Sequence, residues 1–317
     1  MIRLMRFGCF LPQILDSSGI EKIQDIAAKC EELRFSSIWL FDHMTTFPVV
    51  TERPFLECWT TLSALTQCTR KIRLGPLVSC NSFRHPSLLA KMAATVDLLS
   101  LGRLELGIGA GWFEDEYQRF GFDFPPLRVR IKQLEESLEI IRGVWTQDRF
   151  TFKGSYYRVS DAFCTPKPVQ KPHPPIWIGG RGDKTLKLVA RYGDACNFSS
   201  LTPDECNKRL QVLAGYCEEY GRDPKKIVKS YMAITFFEDD LASAKGKIRR
   251  YLEALPTKAV SEVDESFYSK RIVGGPGECI EMIEEYRRAG IDYLILFFPD
   301  ISVDVLTRFS EEVVNLF

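Results

Sequence analysis

The chain has 317 residues, 45% hydrophobic and 26% charged, which is ample material for a large core and excludes a disordered chain. Lysine plus arginine and aspartate plus glutamate number 42 each, so no global field draws nucleic acid or an anionic membrane, and any anion must be held locally. No apolar run approaches the roughly 20 residues of a membrane helix, and MIRLMRFGCFLPQ lacks the apolar region and cleavage site of a signal peptide; a cytoplasmic protein is expected.

Strand-like runs fall at 5–11, 37–41, 72–79, 103–109, 176–179, 194–198, 228–236 and 292–298. Between them the apolar spacing is helical, at 20–34, 55–69, 86–100, 128–146, 183–192, 203–220, 240–254 and 276–289, with 303–316 closing the chain. Pro86, Pro203 and Pro276 stand near first-turn positions of three of these helices. Nearly continuous apolar strands alternating with helices mean parallel strands covered on both faces. The expected closure is a (β/α)8 TIM barrel forming one domain over 1–317. A doubly wound open sheet is the competitor, but no GxGxxG follows the first strand. Insertions are expected after strand 4, after helix 4 and after strand 7, at about 111–126, 148–175 and 255–273. The last, rich in Ser, Glu and Lys, is expected to be a mobile cover for the site.

Function in such a barrel sits on the loops that follow the strands. After strand 2 stand Asp42 and His43, and His43 is the first polar candidate; its alternative role is to satisfy a loop backbone. His85 and His173 do not complete a ligand set with it, and the ten cysteines have neither zinc-knuckle nor ferredoxin spacing, so no metal is expected. The thiols read as small buried groups in a reducing compartment. After strand 3 come Ser79, Cys80, Asn81 and Ser82, an unusually polar end for a buried strand. After strand 4, GIGAGWFEDEYQRFG offers glycines for close approach and the flat face of Trp112. After strand 5, Gly179-Gly180-Arg181-Gly182 leads into a helix. Outward N–H groups and the helix dipole there suit a phosphate, with Arg181 as a further contact; a plain turn is the alternative.

Taken together, SSIWLFDHM, the block from Leu56 to Tyr117, FKGSYYRV, TPKPVQKPHPPIWIGGRGDKTLKLVARYGDACNF and GIDYLILFF resemble the luciferase-like monooxygenase superfamily, in its coenzyme F420-dependent oxidoreductase branch. The resemblance implies a (β/α)8 barrel, a homodimer, and F420 as cofactor with FMN as the alternative. It implies that Leu77, Val78, Ser79 and Cys80 lie behind the cofactor ring, with a non-prolyl cis peptide around Leu77–Val78, and that Gly179, Gly180, Arg181 and Gly182 hold the phosphate. His43 would act on the substrate proton, oriented by Asp42. Trp112, Glu114 and Asn81, with Cys80, would line the substrate side. F420-dependent glucose-6-phosphate dehydrogenases resemble the chain but carry an acidic residue where Trp112 stands, and a lysine near the strand 6 end that Ser199–Thr202 lacks; that activity is not expected. Helix 1 ends in Arg34-Phe35 where relatives have glycine before the aromatic. Substrate, direction and the length of the F420 polyglutamate tail are not legible in the sequence.

Overall fold

The computed structural model describes residues 4–15, 19–254 and 265–317. The first half runs β1 (Arg6–Phe10), α1 (Glu21–Glu32), β2 (Ser37–Leu40), α2 (Cys58–Cys68), β3 (Arg73–Pro76), β4 (Ser79–Cys80), α3 (Pro86–Leu99), β5 (Leu106–Gly109), α4 (Glu114–Arg119) and α5 (Leu127–Thr146). Then come β6 (Phe150–Lys153), β7 (Arg158–Ala162), β8 (Ile176–Gly179), α6 (Asp183–Tyr192), β9 (Ala195–Ser199), α7 (Pro203–Glu219) and β10 (Val228–Phe237). The chain ends with α8 (Leu241–Glu253), α9 (Glu265–Tyr268), β11 (Ile272–Gly274), α10 (Pro276–Arg288), β12 (Tyr293–Phe297) and α11 (Val303–Glu312). Proline sits in the first turn of α3, α7 and α10, where its missing N–H is not needed.

Parallel pairing runs in the order β3-β2-β1-β12-β10-β9-β8-β5-β4. The expected third strand, 72–79, is broken in two: β3 pairs with β2, β4 pairs with β5, and the Leu77–Val78 peptide between them is cis. A bridge from Leu74 to Leu104 closes the ring, so the expected eight-stranded barrel forms. Its strands are buried on both faces, as in β2, β5 and most of β8 and β9, which is why they read as continuous apolar runs.

The irregular stretches carry structure that their composition did not announce. The first holds α4, and the second an antiparallel hairpin of β6 and β7. Between β10 and α10 lie α8, α9 and β11, and β11 adds a parallel strand beside the end of β10 with Ile272 opposite Thr235. The expected cover over 255–273 falls partly on 255–264, outside the described residues.

The barrel interior is aromatic, with Phe10, Trp39, Trp177 and Tyr293 packed around Leu77, Ala195 and Ile295. Its lower end is tied by polar contacts: the Tyr293 hydroxyl bonds Ser37, Trp39 Nε1 donates to Ser37 Oγ at 2.5 Å, and Trp177 Nε1 donates to Glu105 Oε2 at 2.5 Å. Glu105 also pairs with Arg73. Burial pushes the Glu105 carboxyl up, and the Arg73 charge only partly offsets it. These residues plug the barrel below and leave its upper rim for chemistry.

Candidate active site

At the exit of β2, the Gln13 amide donates to the carbonyls of Phe41 (2.9 Å) and Leu56 (3.0 Å) and accepts from Phe41 N–H at 2.6 Å. This clamp fixes where the next two side chains leave the rim. Asp42 turns inward: its carboxylate accepts from Ser79 Oγ (2.8 Å), Cys80 N–H (2.9 Å) and both terminal nitrogens of Arg84 (2.7 and 3.0 Å). Arg84 also donates to Glu57 at 2.8 Å. Burial works against the Arg84 charge, yet Asp42 and Glu57 raise its proton affinity above the ordinary value. Asp42 therefore does not orient His43, contrary to expectation. Successive residues leaving a strand point to opposite faces, and Asp42 is spent on tying β2 to β4.

The partner of His43 is Glu116. Its Oε2 lies 2.8 Å from His43 Nδ1, and its Oε1 accepts from Met44 N–H at 2.6 Å. Glu116 lies in α4 with its side chain 1% exposed. Glu114, expected at the substrate side, is exposed and accepts from Gln118. The signal for Glu116 was present in WFEDEY: once 114–119 is read as a helix, Phe113, Glu116 and Tyr117 share one face and Glu114 does not. Around the imidazole stand Phe47 at 4.1 Å between ring centroids, Trp112 at 6.0 Å and Phe113 at 6.0 Å. Trp112 stacks on Phe113 at 5.2 Å and is 58% exposed, so it forms the outer lip. Nothing in the sequence distinguishes Phe47 from a packing phenylalanine until His43 is placed.

Cys80 and Asn81 are engaged by protein groups. Cys80 Sγ lies 2.9 Å from the Tyr117 hydroxyl, and Asn81 Nδ2 donates to the Tyr157 hydroxyl at 3.3 Å. Burial pushes the Cys80 thiol up to about 12, so it is a neutral wall group and not a nucleophile. Val78 stands between glycines: a Cβ at Gly109 or Gly179 would lie 2.7 or 2.9 Å from its methyl groups. These glycines admit the Val78 side chain to the barrel mouth.

The glycine turn follows β8 as expected. Gly180 has φ +131°, a conformation side chains rarely adopt, and its N–H donates to Asn197 O at 3.1 Å. Gly182 precedes α6, no side chain caps that helix, and a Cβ on Gly182 would meet nothing within 4 Å. The first-turn N–H groups thus have no side-chain cap, and the space beside Gly182 is open, at the positive end of the helix dipole, which fits a phosphate. Asp183, the one acidic group of that turn, is paired with Arg209. Arg181 is exposed and donates to Ser200 O at 3.0 Å, linking the exits of β8 and β9. Among the described residues no group of three or more metal-ligating side chains converges, and no helix is long and apolar enough to cross a membrane.

Residues 5–293 match the family model described as luciferase-like monooxygenase. An F420-dependent glucose-6-phosphate dehydrogenase of Amycolatopsis mediterranei is 26% identical over 322 residues, spanning 93% of this chain and 94% of that protein. Among solved structures, an F420-dependent secondary alcohol dehydrogenase has a TM-score of 0.83 at 22% identity, covering 98% of both chains. Monooxygenase RslO1 from Streptomyces bottropensis has a TM-score of 0.84 at 22% identity, covering 98% of this chain and 99% of that one. With the barrel, the broken third strand and the histidine at the second strand's exit in place, the match over nearly the full length settles the family: the chain belongs to the luciferase-like monooxygenases.

Proposed function

We propose that the protein is an F420-dependent oxidoreductase acting on a small organic substrate. The observation that carries this reading is the His43–Glu116 pair, set among aromatic rings on the same barrel rim as the uncapped start of α6. F420, when bound, exchanges a hydride at the carbon that replaces the flavin N5, with the substrate proton going to or coming from a protein group. His43 is that group. A carboxylate can only accept, so Glu116 takes the Nδ1–H and leaves Nε2 for the ligand. Nε2 then takes the proton of a substrate hydroxyl in oxidation, or returns it to the oxygen in reduction. Phe47, Trp112 and Phe113 give it an apolar surround that favours an uncharged substrate. That lining, together with the absence of a lysine in Ser199–Thr202, argues against glucose 6-phosphate, although relatives carry that activity in their names.

The test follows F420 absorbance with secondary alcohols, and reduced F420 with carbonyl and unsaturated compounds. We expect turnover with the wild type. His43→Ala should lower it by about 10²–10⁴ while F420 affinity stays within about twofold; unchanged turnover in that variant would remove His43 from the chemistry. The second reading, an FMN-dependent monooxygenase, draws on the equally good superposition with monooxygenase RslO1. The same turn would take the FMN phosphate. A non-catalytic flavin carrier leaves the His43–Glu116 pair without a purpose.

A further inference from the structure

A cavity of about 530 Å³ lies between the first half of α5 and the outer face of α6. Into it project Arg128 and Lys132 from α5 and Lys184, Lys187 and Arg191 from α6, against a single carboxylate, Glu135. Arg191 pairs with Glu135 at 3.0 Å, and Lys187 lies 3.9 Å from Glu219. Arg128, Lys132 and Lys184 make no ion pair among the described residues, and all three are exposed. On a chain whose charges balance at 42 each, such an excess on one groove is a local anion site. Its position narrows the ligand, because Lys184 is the second residue of the helix whose first turn is free for a phosphate. From Lys184 to Arg191 the helix advances by roughly 10 Å, the reach of about three extended residues.

We infer that this groove binds the oligoglutamate chain that F420 carries beyond its phosphate. The inference rests on the F420 reading above. The phosphate end sits at Gly182, and the carboxylates of the linked glutamates run along α6, facing Lys184, Arg128 and Lys132 in turn. A helix backbone and its capping N–H groups fix the phosphate; the side chains of the groove add affinity in proportion to the number of glutamates. No bond is made or broken there.

The purified full-length protein is titrated with F420 carrying several glutamates and with the form that keeps the phosphate but has no glutamate, at low and at high salt. Three exposed ion pairs at two- to threefold each give the longer form an advantage of about tenfold at low salt, shrinking as salt screens it. Arg128→Glu combined with Lys132→Glu, both on exposed helical positions, should abolish the advantage and leave affinity for the glutamate-free form unchanged. Equal binding of the two forms by the wild type, or a preference that survives in the double variant, overturns the groove assignment alone. Failure of both forms to bind overturns the F420 reading and the groove with it.

Discussion

Replacing Glu116 with glutamine separates positioning from acid–base chemistry. The carboxylate accepts two hydrogen bonds, at 2.8 Å from His43 Nδ1 and at 2.6 Å from Met44 N–H, and its own side chain is only 1% exposed. Glutamine has the same size but a single acceptor oxygen, so one of the two donors must face an NH2 group. A lost charge-assisted bond of this kind costs about 1.5–3 kcal/mol, equivalent to roughly 10–100-fold. If the His43 ring bears the loss, kcat/KM falls by that factor while F420 affinity moves by less than about twofold. Because Glu116 acts through His43, the double variant His43→Ala, Glu116→Gln should be no slower than His43→Ala alone. Steady-state kinetics on the four proteins decide it. Wild-type turnover in Glu116→Gln, or independent losses that multiply in the double variant, would refute the positioning role.

Other perturbations probe the rest of the scaffold. Asp42→Asn leaves the mostly buried Arg84 guanidinium with Glu57 as its only charged partner among the described residues and should cost about 3 kcal/mol in a urea melt; a near-neutral effect would mean the pair does not hold β2 to β4. Gly180→Leu forces a side chain into φ +131° and within 3.1 Å of Thr185, at about 1–3 kcal/mol of folding stability. A Cβ at Gly182 meets no atom within 4 Å, so Gly182→Leu should leave folding nearly unchanged yet weaken cofactor binding by more than about tenfold, whereas equal affinity would reduce the stretch to a plain turn. Burial holds the Glu105 carboxyl above its unfolded value of about 4.3, so the folded state binds the extra proton. Wild-type stability relative to Glu105→Gln should then be greatest below about pH 4.3 and decline as pH rises through the interval up to the folded value; a gap that grows with pH contradicts this. Arg34 holds φ +60° just past α1, so Arg34→Gly should raise stability by about 1 kcal/mol, read as a shifted urea midpoint.

The barrel was legible because its strands are covered on both faces and its helices on one, and these two periods survive in the apolar spacing. What escaped has local physical reasons. The break at Leu77–Val78 depends on two neighbours, β2 and β5, pulling the same run into different registers, and only the resemblance pointed to it. The β6–β7 strands alternate half-buried and exposed residues on the periphery, which leaves a weak apolar signal. Asp42 beside His43 invited a sequence-adjacent partner, yet strand geometry sends the two side chains apart. The carboxylate that meets His43 comes from 73 residues on, a pairing that requires the fold before it can be seen. The glycine turn, by contrast, was readable as it stands, because the end of β8, Gly180 at φ +131° and the uncapped start of α6 are contiguous in the chain.

The most direct test of the account is a side-by-side titration of the purified protein with F420 and with FMN, followed by cofactor fluorescence at one ionic strength. Tight F420 binding with weak FMN binding is the predicted result. Tight FMN binding with weak F420 binding would contradict it and place the His43–Glu116 pair in oxygen chemistry on reduced flavin.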